Sequence, residues 1–406
     1  MTLTEKLIDK EKQVSAHNYS PLPVVMSRAN GVWMYDVEGK KYLDMLSAYS
    51  AVSHGHCHPR MVKVLHEQSQ KLCLSSRAFY TEVLGPFLEK LCSVSKMDQA
   101  LPMNSGAEAV ETAIKGARRW GYQIKRIPEN LAEIIVCERN FHGRTSGIIS
   151  FSSEPSYKKG FGPFMPGFKT IPYSDAKALK EAITPNTCAF LVEPVQGEGG
   201  LYVPSLGWLK EVEKICRENR VLLIVDEIQS GLGRTGKWFA SNYEDIQPDG
   251  MTIGKALGGG VFPISALVGK KELMDVFTPG SHGSTWGGNA LAAAVGLEAL
   301  TILEEEHLIE RSAKLGIHLL NRLKGLKSPL IKEVRGIGLW AGVEIDPQKA
   351  RARTICEMLV KRGVLSKETH ETVIRFAPPL VIEQSEIEWG IEQLVWVLEN
   401  YKPENS

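Results

Sequence analysis

The stretch from 221 to 260 limits the possible folds of this chain more than any other part of the sequence. An apolar run at residues 221–225 ends at Asp226. A second apolar segment, residues 251–253, is soon followed by Lys255 and a run of glycines. Short apolar runs that end at an ionisable residue are typical of buried strands in a parallel sheet. Because ligands of open α/β sheets bind at the carboxyl ends of strands, we expect the acid and the amine to share one ligand site.

A buried carboxylate beside a buried lysine suits the cofactor pyridoxal 5′-phosphate (PLP). Lys255 forms a Schiff base with the cofactor aldehyde, and the acid pairs with the pyridinium nitrogen. A competing interpretation exists, because Gly231, Gly233 and Gly236 fit the G-x-G-x-x-G pattern of nucleotide-binding loops. However, Trp238 stands where a phosphate loop needs Ser or Thr, and no clear helix follows. We therefore expect PLP rather than a nucleotide.

Residues 102–115 give a second signal. Asn104 or Ser105 can cap a helix, and Glu108 occupies the position of a capping-box acid. The free N–H groups at such a helix start can bind a phosphate group. An ordinary capped helix explains the same residues, but beside the acid–lysine pair we favour the phosphate site.

Two motifs around the acid and the lysine resemble the signature of the class III aminotransferases. They are D-E-I-Q-S-G at residues 226–231 and G-K-A-L-G-G-G at residues 254–260. The resemblance implies fold type I of the PLP-dependent transferases, which is an α/β fold. It has a mostly parallel central sheet with helices on both faces, plus a smaller α+β domain. We expect an N-terminal segment that joins the small domain (1–46), a large PLP-binding domain (47–300) and a C-terminal small domain (301–406).

The resemblance also implies the roles of individual residues. Lys255 is the general base and acid, and Asp226 keeps the pyridine nitrogen protonated. Phe141 stacks on the ring, and Thr285 reaches the phosphate of the neighbouring subunit, which implies at least a homodimer. The cofactor-binding residues implied by the resemblance are Ser105, Gly106, Ala107, Phe141, His142, Asp226, Ile228, Gln229, Lys255, Ser284 and Thr285.

The substrate-binding residues implied in the same way are Tyr49, Tyr80, Arg144, Glu198 and Arg375. An arginine can grip a carboxylate with two hydrogen bonds, which suits Arg144 and Arg375. Glu198 is expected to pair with Arg375 and to mask it while the amine donor binds. The residues alone leave other interpretations open: Tyr49 as a half-buried core aromatic, Tyr80 as interface packing, and Arg375 as a surface charge on an edge strand.

Within the class, the segment around Tyr49, the S-R-A-F-Y motif at 76–80 and the Glu198–Arg375 pair most resemble the ornithine δ-aminotransferases. This implies transfer of the δ-amino group of L-ornithine to a 2-oxo acid, 2-oxoglutarate. The products are L-glutamate 5-semialdehyde and L-glutamate, in arginine, ornithine and proline metabolism. Acetylornithine and 4-aminobutyrate aminotransferases of the same class are the alternatives.

Charge and cysteine content restrict the partners and the compartment. The 406 residues carry a formal net charge of +1, which indicates neither a nucleic acid nor an anionic membrane as partner. The 7 cysteines are scattered and lack C-x-x-C spacing, which is typical of reduced thiols in a cytoplasmic protein. No apolar run reaches the roughly 18 residues of a membrane span. The N-terminus carries acids and has no apolar core segment, so it does not resemble a secretory signal.

Three histidines at alternate positions, His54, His56 and His58, suggest a metal site. No acidic ligand lies near them in the sequence, and alternate residues of an extended segment need not converge. We favour a Gly/Pro-containing turn before the next helix and expect no metal.

Local patterns predict several further elements. Residues 154–175 are rich in Gly, Pro and aromatic residues and are predicted to form one long ordered loop. Residues 32–44 are predicted to form two short strands around a turn. Buried or half-buried strands are predicted at 133–137, 188–192, 331–334, 339–345 and 372–376, and a helix at 350–362.

Overall fold

The computed structural model describes residues 1–402. The helices are α1 (Leu3–Val14), α2 (Ser47–Ser50), α3 (Pro59–Lys71), α4 (Leu84–Ser95), α5 (Gly106–Trp120), α6 (Pro155–Lys158), α7 (Ala176–Ala182), α8 (Trp208–Glu218), α9 (Lys271–Met274), α10 (Ala290–Glu305), α11 (Leu308–Lys324), α12 (Ala352–Lys361) and α13 (Gln384–Asn400). The strands are β1 (Met26–Asn30), β2 (Trp33–Asp36), β3 (Lys41–Asp44), β4 (Gln99–Met103), β5 (Glu133–Cys137), β6 (Phe168–Ile171), β7 (Thr187–Val192), β8 (Leu222–Asp226), β9 (Gly250–Ile253), β10 (Ser265–Gly269), β11 (Ile331–Gly336), β12 (Ala341–Ile345), β13 (Val364–Leu365), β14 (Lys367–Thr369) and β15 (Val373–Phe376).

A seven-stranded sheet with the order β4-β10-β9-β8-β7-β5-β6 forms the centre of the fold. The pairs from β9 to β6 are parallel, whereas β10 is antiparallel to both of its neighbours. Successive residues of β8 enter different cores: Leu223 and Val225 belong to one buried cluster, Leu222 and Ile224 to another. The strand is therefore covered on both faces, which explains its uninterrupted apolar sequence.

Helices from different parts of the chain cover the two faces. Val110 of α5 packs in the cluster that contains Leu222, and Val212 of α8 packs in the cluster that contains Leu223. The expected α/β fold with helices on both faces of the sheet is confirmed.

The sheet order brings the acid and the lysine to one edge. β8 and β9 are parallel neighbours, and Asp226 at the end of β8 pairs with Thr252. β9 ends at Ile253, and Lys255 opens a 3₁₀ turn (Lys255–Gly258) two residues later. Because both strands run in the same direction, both ionisable side chains lie at the carboxyl edge, where ligands of such sheets bind.

Two smaller sheets flank this centre. One has the order β11-β12-β15-β14, and the other has the order β1-β2-β3-β13. In the second, β13 from the C-terminal part pairs in parallel with β3 from the N-terminal part. The two ends of the chain thus share a sheet, and the boundaries at 46/47 and 300/301 stay predictions.

The prediction of one long loop at 154–175 is wrong. This stretch contains α6 and also β6, which pairs in parallel with β5 at the edge of the large sheet. Only Ile171 of β6 is buried. An edge strand is not covered on both sides, so β6 lacks the apolar run that identified β5 and β7. The hairpin of β2 and β3 is confirmed.

No helix within residues 1–402 is long and apolar enough to cross a membrane.

Candidate active site

Asp226 is buried, and its carboxylate accepts hydrogen bonds from two neighbouring residues. Its Oδ2 accepts a hydrogen bond from His142 Nδ1 at 2.6 Å, and its Oδ1 accepts one from the Ile228 N–H at 3.1 Å. Burial lowers the pKa of His142, but the bond to Asp226 and its charge outweigh this effect and raise the pKa above its usual value. His142 therefore forms a charge-assisted partner behind the carboxylate.

Lys255 lies beside this carboxylate with a left-handed backbone, at φ 46°. Burial lowers the pKa of its ammonium to about 8, against the opposing charges of Glu198 and Asp226. A lysine whose pKa lies this close to neutrality is available as a neutral amine, which is the form that attacks a carbonyl or accepts a proton.

Between the acid and the amine lies a cavity of about 210 Å³. Its lining combines an aromatic ring, apolar side chains, a helix start and ionisable groups. The residues lining it are Gly106, Ala107, Phe141, His142, Gly143, Glu193, Val195, Asp226, Ile228, Gln229, Ser230 and Lys255.

The helix start in this lining is capped by its own sequence. Ser105 Oγ accepts a hydrogen bond from the Glu108 N–H at 3.2 Å, and Glu108 Oε2 accepts one from the Ser105 N–H at 2.7 Å. This is the capping box that the sequence predicted. A Cβ at Gly106 would lie 3.0 Å from Ile228 Cδ1, so glycine keeps the space in front of the helix open.

Glu198 and Arg375 form an ion pair close enough to Lys255 for both charges to act on its pKa. Arg375 is only 3% exposed and lies on β15, between β12 and β14, so the interpretation as a surface charge on an edge strand is wrong. Burial raises the pKa of Glu198, but the charges of Arg375 and Lys255 lower it by more, so the net direction is down.

Tyr49 completes this group. The guanidinium carbon of Arg375 lies 4.8 Å from the centre of the Tyr49 ring. Gln229 Nε2 donates to both Tyr49 O and Glu198 Oε1, each at 3.5 Å. Tyr49 is half-buried, which agrees with the alternative of a half-buried core aromatic, and its role in substrate binding stays a prediction.

Arg144 lies near Phe141, one of the residues that line the cavity. It is exposed, and its Nη2 donates to Tyr157 Oη at 3.1 Å. Its guanidinium carbon lies 4.3 Å from the centre of the Tyr157 ring and 5.7 Å from that of Phe141. The guanidinium of Arg144 is therefore oriented by the rings of Tyr157 and Phe141.

Tyr80, Ser284 and Thr285 are among the expected site residues that do not line this cavity. Tyr80 is fully exposed and Thr285 is exposed. Ser284 accepts a hydrogen bond from Asn104 Nδ2 at 2.8 Å, which places this loop beside the start of α5.

A model of the family described as aminotransferase class-III matches residues 14–398. The chain belongs to the class III aminotransferases. An ornithine aminotransferase from Halalkalibacterium halodurans is 57% identical over 395 residues, which cover 97% of this chain and 98% of the relative. Two similar solved structures are an ornithine aminotransferase from Toxoplasma gondii ME49 and an acetylornithine aminotransferase from Elizabethkingia anophelis. The first is 43% identical with a TM-score of 0.96 and covers 98% of this chain and 96% of that chain. The second is 45% identical with a TM-score of 0.90 and covers 99% and 100%.

Class III aminotransferases are PLP-dependent enzymes, and the cavity of this aminotransferase fits PLP. For a flat ring, the cavity offers the aromatic side chain of Phe141 and the apolar side chains of Val195 and Ile228. One end of the cavity presents a carboxylate for a ring nitrogen, and the start of α5 presents N–H groups for a phosphate. In addition, His142 Nε2 is buried without a hydrogen-bond partner among the described residues.

Sequence reasoning about this aminotransferase missed Glu193. It follows β7, lines the cavity, and accepts a hydrogen bond from the Phe141 N–H at 3.0 Å through Oε2. Burial raises the pKa of Glu193 to about 8; the His142 charge lowers it and the Asp226 charge raises it further. The signal was available, because Glu193 ends an apolar run as Asp226 does, on the neighbouring parallel strand.

The backbone that carries Tyr49 was also not predicted. Ser47, Ala48, Tyr49 and Ser50 have φ angles of 46°, 46°, 59° and 73°. Each left-handed residue other than glycine costs about 1–2 kcal/mol. Tertiary contacts offset this cost, among them the hydrogen bond that Ser47 Oγ donates to Ala377 O at 2.6 Å.

The three histidines have three different partners. His54 Nε2 donates to Ala299 O at 2.9 Å, and His56 and His58 pair with Asp44 and Glu306 at 2.7 and 3.2 Å. Burial lowers the pKa of His54 to about 4. Among residues 1–402, no group of three or more potential ligand side chains could hold a metal ion.

Proposed function

We propose that this aminotransferase transfers the δ-amino group of L-ornithine to 2-oxoglutarate. The products are L-glutamate 5-semialdehyde and L-glutamate, which belong to arginine, ornithine and proline metabolism. The observation that carries the proposal is the buried Glu198–Arg375 pair with Tyr49 packed against it. The 57% identity to a relative named ornithine aminotransferase supports it.

In this proposal Lys255 is the amine that carries PLP. The bound cofactor supplies an electron sink for the bond broken at the substrate carbon. As a base, Lys255 would accept the proton from the substrate δ-carbon, and as an acid it would deliver this proton to the former aldehyde carbon of the cofactor. Its pKa of about 8 suits both directions near neutral pH. The Asp226 carboxylate, held by His142, would pair with the ring nitrogen of the bound cofactor and would stabilise the protonated form of that nitrogen.

The Glu198–Arg375 pair solves the problem of two unlike substrates. Ornithine must present its far amine, and 2-oxoglutarate must present the carbon next to its α-carboxylate. While Glu198 occupies Arg375, this guanidinium is not free to bind an α-carboxylate, so ornithine would bind with its α-amino acid end at Tyr49 and Arg144. When the pair opens, Arg375 is free to hold the α-carboxylate of 2-oxoglutarate with two hydrogen bonds.

We further propose that the working unit is a homodimer. Phe79, Tyr80 and Trp286 are 70%, 105% and 50% exposed, an unusual amount of aromatic surface for a monomer. Trp286 directly follows Ser284 and Thr285 in the chain, and Thr285 is itself exposed, so this loop is available to a second subunit. The proposed roles of Thr285 at the partner's phosphate and of Tyr80 near a substrate depend on this dimer. The unpaired cysteines support a cytoplasmic location.

The alternative is an acetylornithine or 4-aminobutyrate aminotransferase, and the similarity to the Elizabethkingia anophelis enzyme keeps it open. A half-reaction experiment separates the candidates. The PLP-loaded protein is mixed separately with L-ornithine, N-acetylornithine and 4-aminobutyrate while the cofactor absorption is followed. We expect ornithine to react fastest and to yield a cyclised semialdehyde that o-aminobenzaldehyde traps. A faster reaction with either other amine would overturn the proposed substrate.

A further inference from the structure

The glycine-rich stretch 231–236, which resembles a nucleotide-binding loop, has another use in this fold. Gly233 and Gly236 have φ angles of +89° and +88°, so the chain turns sharply on both sides of Arg234. A Cβ at Gly236 would lie 2.8 Å from the Cα of Ala313 on α11. The glycines thus let the loop pack against α11 and deliver the Arg234 side chain into the interior, where it is 0% exposed.

The buried guanidinium of Arg234 binds neutral oxygens. Nη1 donates to Leu339 O at 2.9 Å and to Pro378 O at 2.7 Å. Nη2 donates to Ser47 Oγ at 3.1 Å and to Ser53 Oγ at 3.2 Å. No carboxylate is among the hydrogen-bond partners of Arg234 within the part of the chain that the structure describes, and Nε has no partner there.

A buried guanidinium that binds only neutral oxygens contributes little to the stability of the fold. Burial lowers the pKa of Arg234 to about 9, and the charge of Asp44 opposes this effect. A buried cation without a hydrogen-bonded counter-ion keeps much of its desolvation cost. The contribution of Arg234 is geometric instead, because its planar guanidinium fixes the relative positions of its four acceptors.

Three of these four acceptors belong to the two segments that carry the substrate-end groups, and the fourth, Leu339 O, lies just before β12. Ser47 and Ser53 lie on either side of Tyr49, in and just after the left-handed turn. Pro378 follows the end of β15, the strand of Arg375. The same two segments are also joined directly, because the Leu380 N–H donates to Ser53 O at 2.8 Å.

We propose that Arg234 is a positioning residue for substrate selection. Its guanidinium fixes the left-handed turn of Tyr49 against the end of the Arg375 strand, and so sets where the carboxylate end of a substrate binds relative to Lys255. This inference rests on the proposed roles of Tyr49 and Arg375. A lysine cannot replace Arg234, because one ammonium group does not offer two pairs of N–H donors in a plane.

The test uses three variants of the PLP-loaded enzyme: Arg234→Lys, Ser53→Ala and, as a matched control, Ser95→Ala. Ser95 is also buried, but its hydroxyl bonds only within its own helix region, to Leu91 O at 2.7 Å and Cys92 O at 3.3 Å. Each variant is assayed for the KM of L-ornithine and 2-oxoglutarate, for Tm, and for the rate of reaction with methoxyamine. Methoxyamine has no carboxylate and reports only on access to the cofactor.

We expect Arg234→Lys and Ser53→Ala to raise both KM values about tenfold, with the methoxyamine rate within about twofold of wild type. Ser95→Ala should change neither the two KM values nor the methoxyamine rate. If folded Ser53→Ala and Arg234→Lys enzymes keep wild-type KM values, or if the methoxyamine reaction slows as much as the ornithine reaction, the positioning role is refuted. If the wild type does not accept ornithine, the proposed function fails separately, and the L-glutamate half-reaction of the same variants still decides the role of Arg234.

Discussion

Replacing Glu198 by glutamine tests the proposed switch between the two substrates. The change keeps an oxygen acceptor for Arg375 but removes the charge that holds it. The Glu198 and Arg375 side chains are 20% and 4% exposed, so solvent screens their interaction only weakly. Arg375 should then be available to the α-carboxylate of L-glutamate without first leaving a carboxylate partner.

The size of the effect follows from the lost interaction. A hydrogen bond to a charged group contributes about 1.5–3 kcal/mol, and because glutamine keeps one acceptor, we take about 1.5–2 kcal/mol. At about 1.36 kcal/mol for each factor of ten, this is a 10- to 30-fold change. Glu198→Gln should therefore raise the ratio of kcat/KM for L-glutamate to that for L-ornithine by about 10- to 30-fold.

The assay measures both half-reactions of the PLP-loaded enzyme by stopped-flow absorbance. The control is Glu181→Gln, which removes a carboxylate that is 68% exposed on α7 and should leave the ratio unchanged. A Glu198→Gln enzyme that folds, binds PLP and retains the wild-type ratio would refute the masking role of Glu198.

Three further predictions concern single residues. Lys255→Ala should lower turnover by at least about 10²-fold, since it removes the proposed base; steady-state rates at saturating ornithine measure this. Tyr49→Phe should raise the KM for ornithine more than that for 2-oxoglutarate, and equal changes would speak against a contact with the ornithine α-end. Burial raises the pKa of Glu193 from its usual 4.5 to about 8, so the folded state binds the Glu193 proton more tightly than the unfolded state does. The free energy of unfolding of the wild type should therefore fall as pH rises from about 5 to about 8. Tm measurements over this range should show that the contribution of Glu193 to the fall is absent in Glu193→Gln.

The features that sequence reasoning predicted correctly rest on local signals. The uninterrupted apolar run of β8 reflects burial on both faces, and the ends of β8 and β9 place Asp226 and Lys255 at the same edge. The capping box at Ser105 and Glu108 is likewise complete within a few residues. Such signals need no knowledge of which segments meet in space.

The features that were missed depend on contacts between distant segments. The left-handed turn at Tyr49 contains no glycine, and it is held from 187 residues away by Arg234 Nη2 on Ser47. β6 is an edge strand with one buried residue, so its sequence resembles a loop. Tyr80 and Thr285 are exposed in the single chain, and their proposed contacts involve a second subunit, which no pattern within the sequence describes.

The most direct test of the proposed function asks which nitrogen leaves ornithine. The PLP-loaded enzyme is incubated with 2-oxoglutarate and L-ornithine carrying ¹⁵N at either the δ or the α position, and the label in glutamate is read by mass spectrometry. The proposal predicts that δ-label appears in glutamate, whereas α-label stays in the semialdehyde. Transfer of the α-label, or no transfer from ornithine at all, would contradict it.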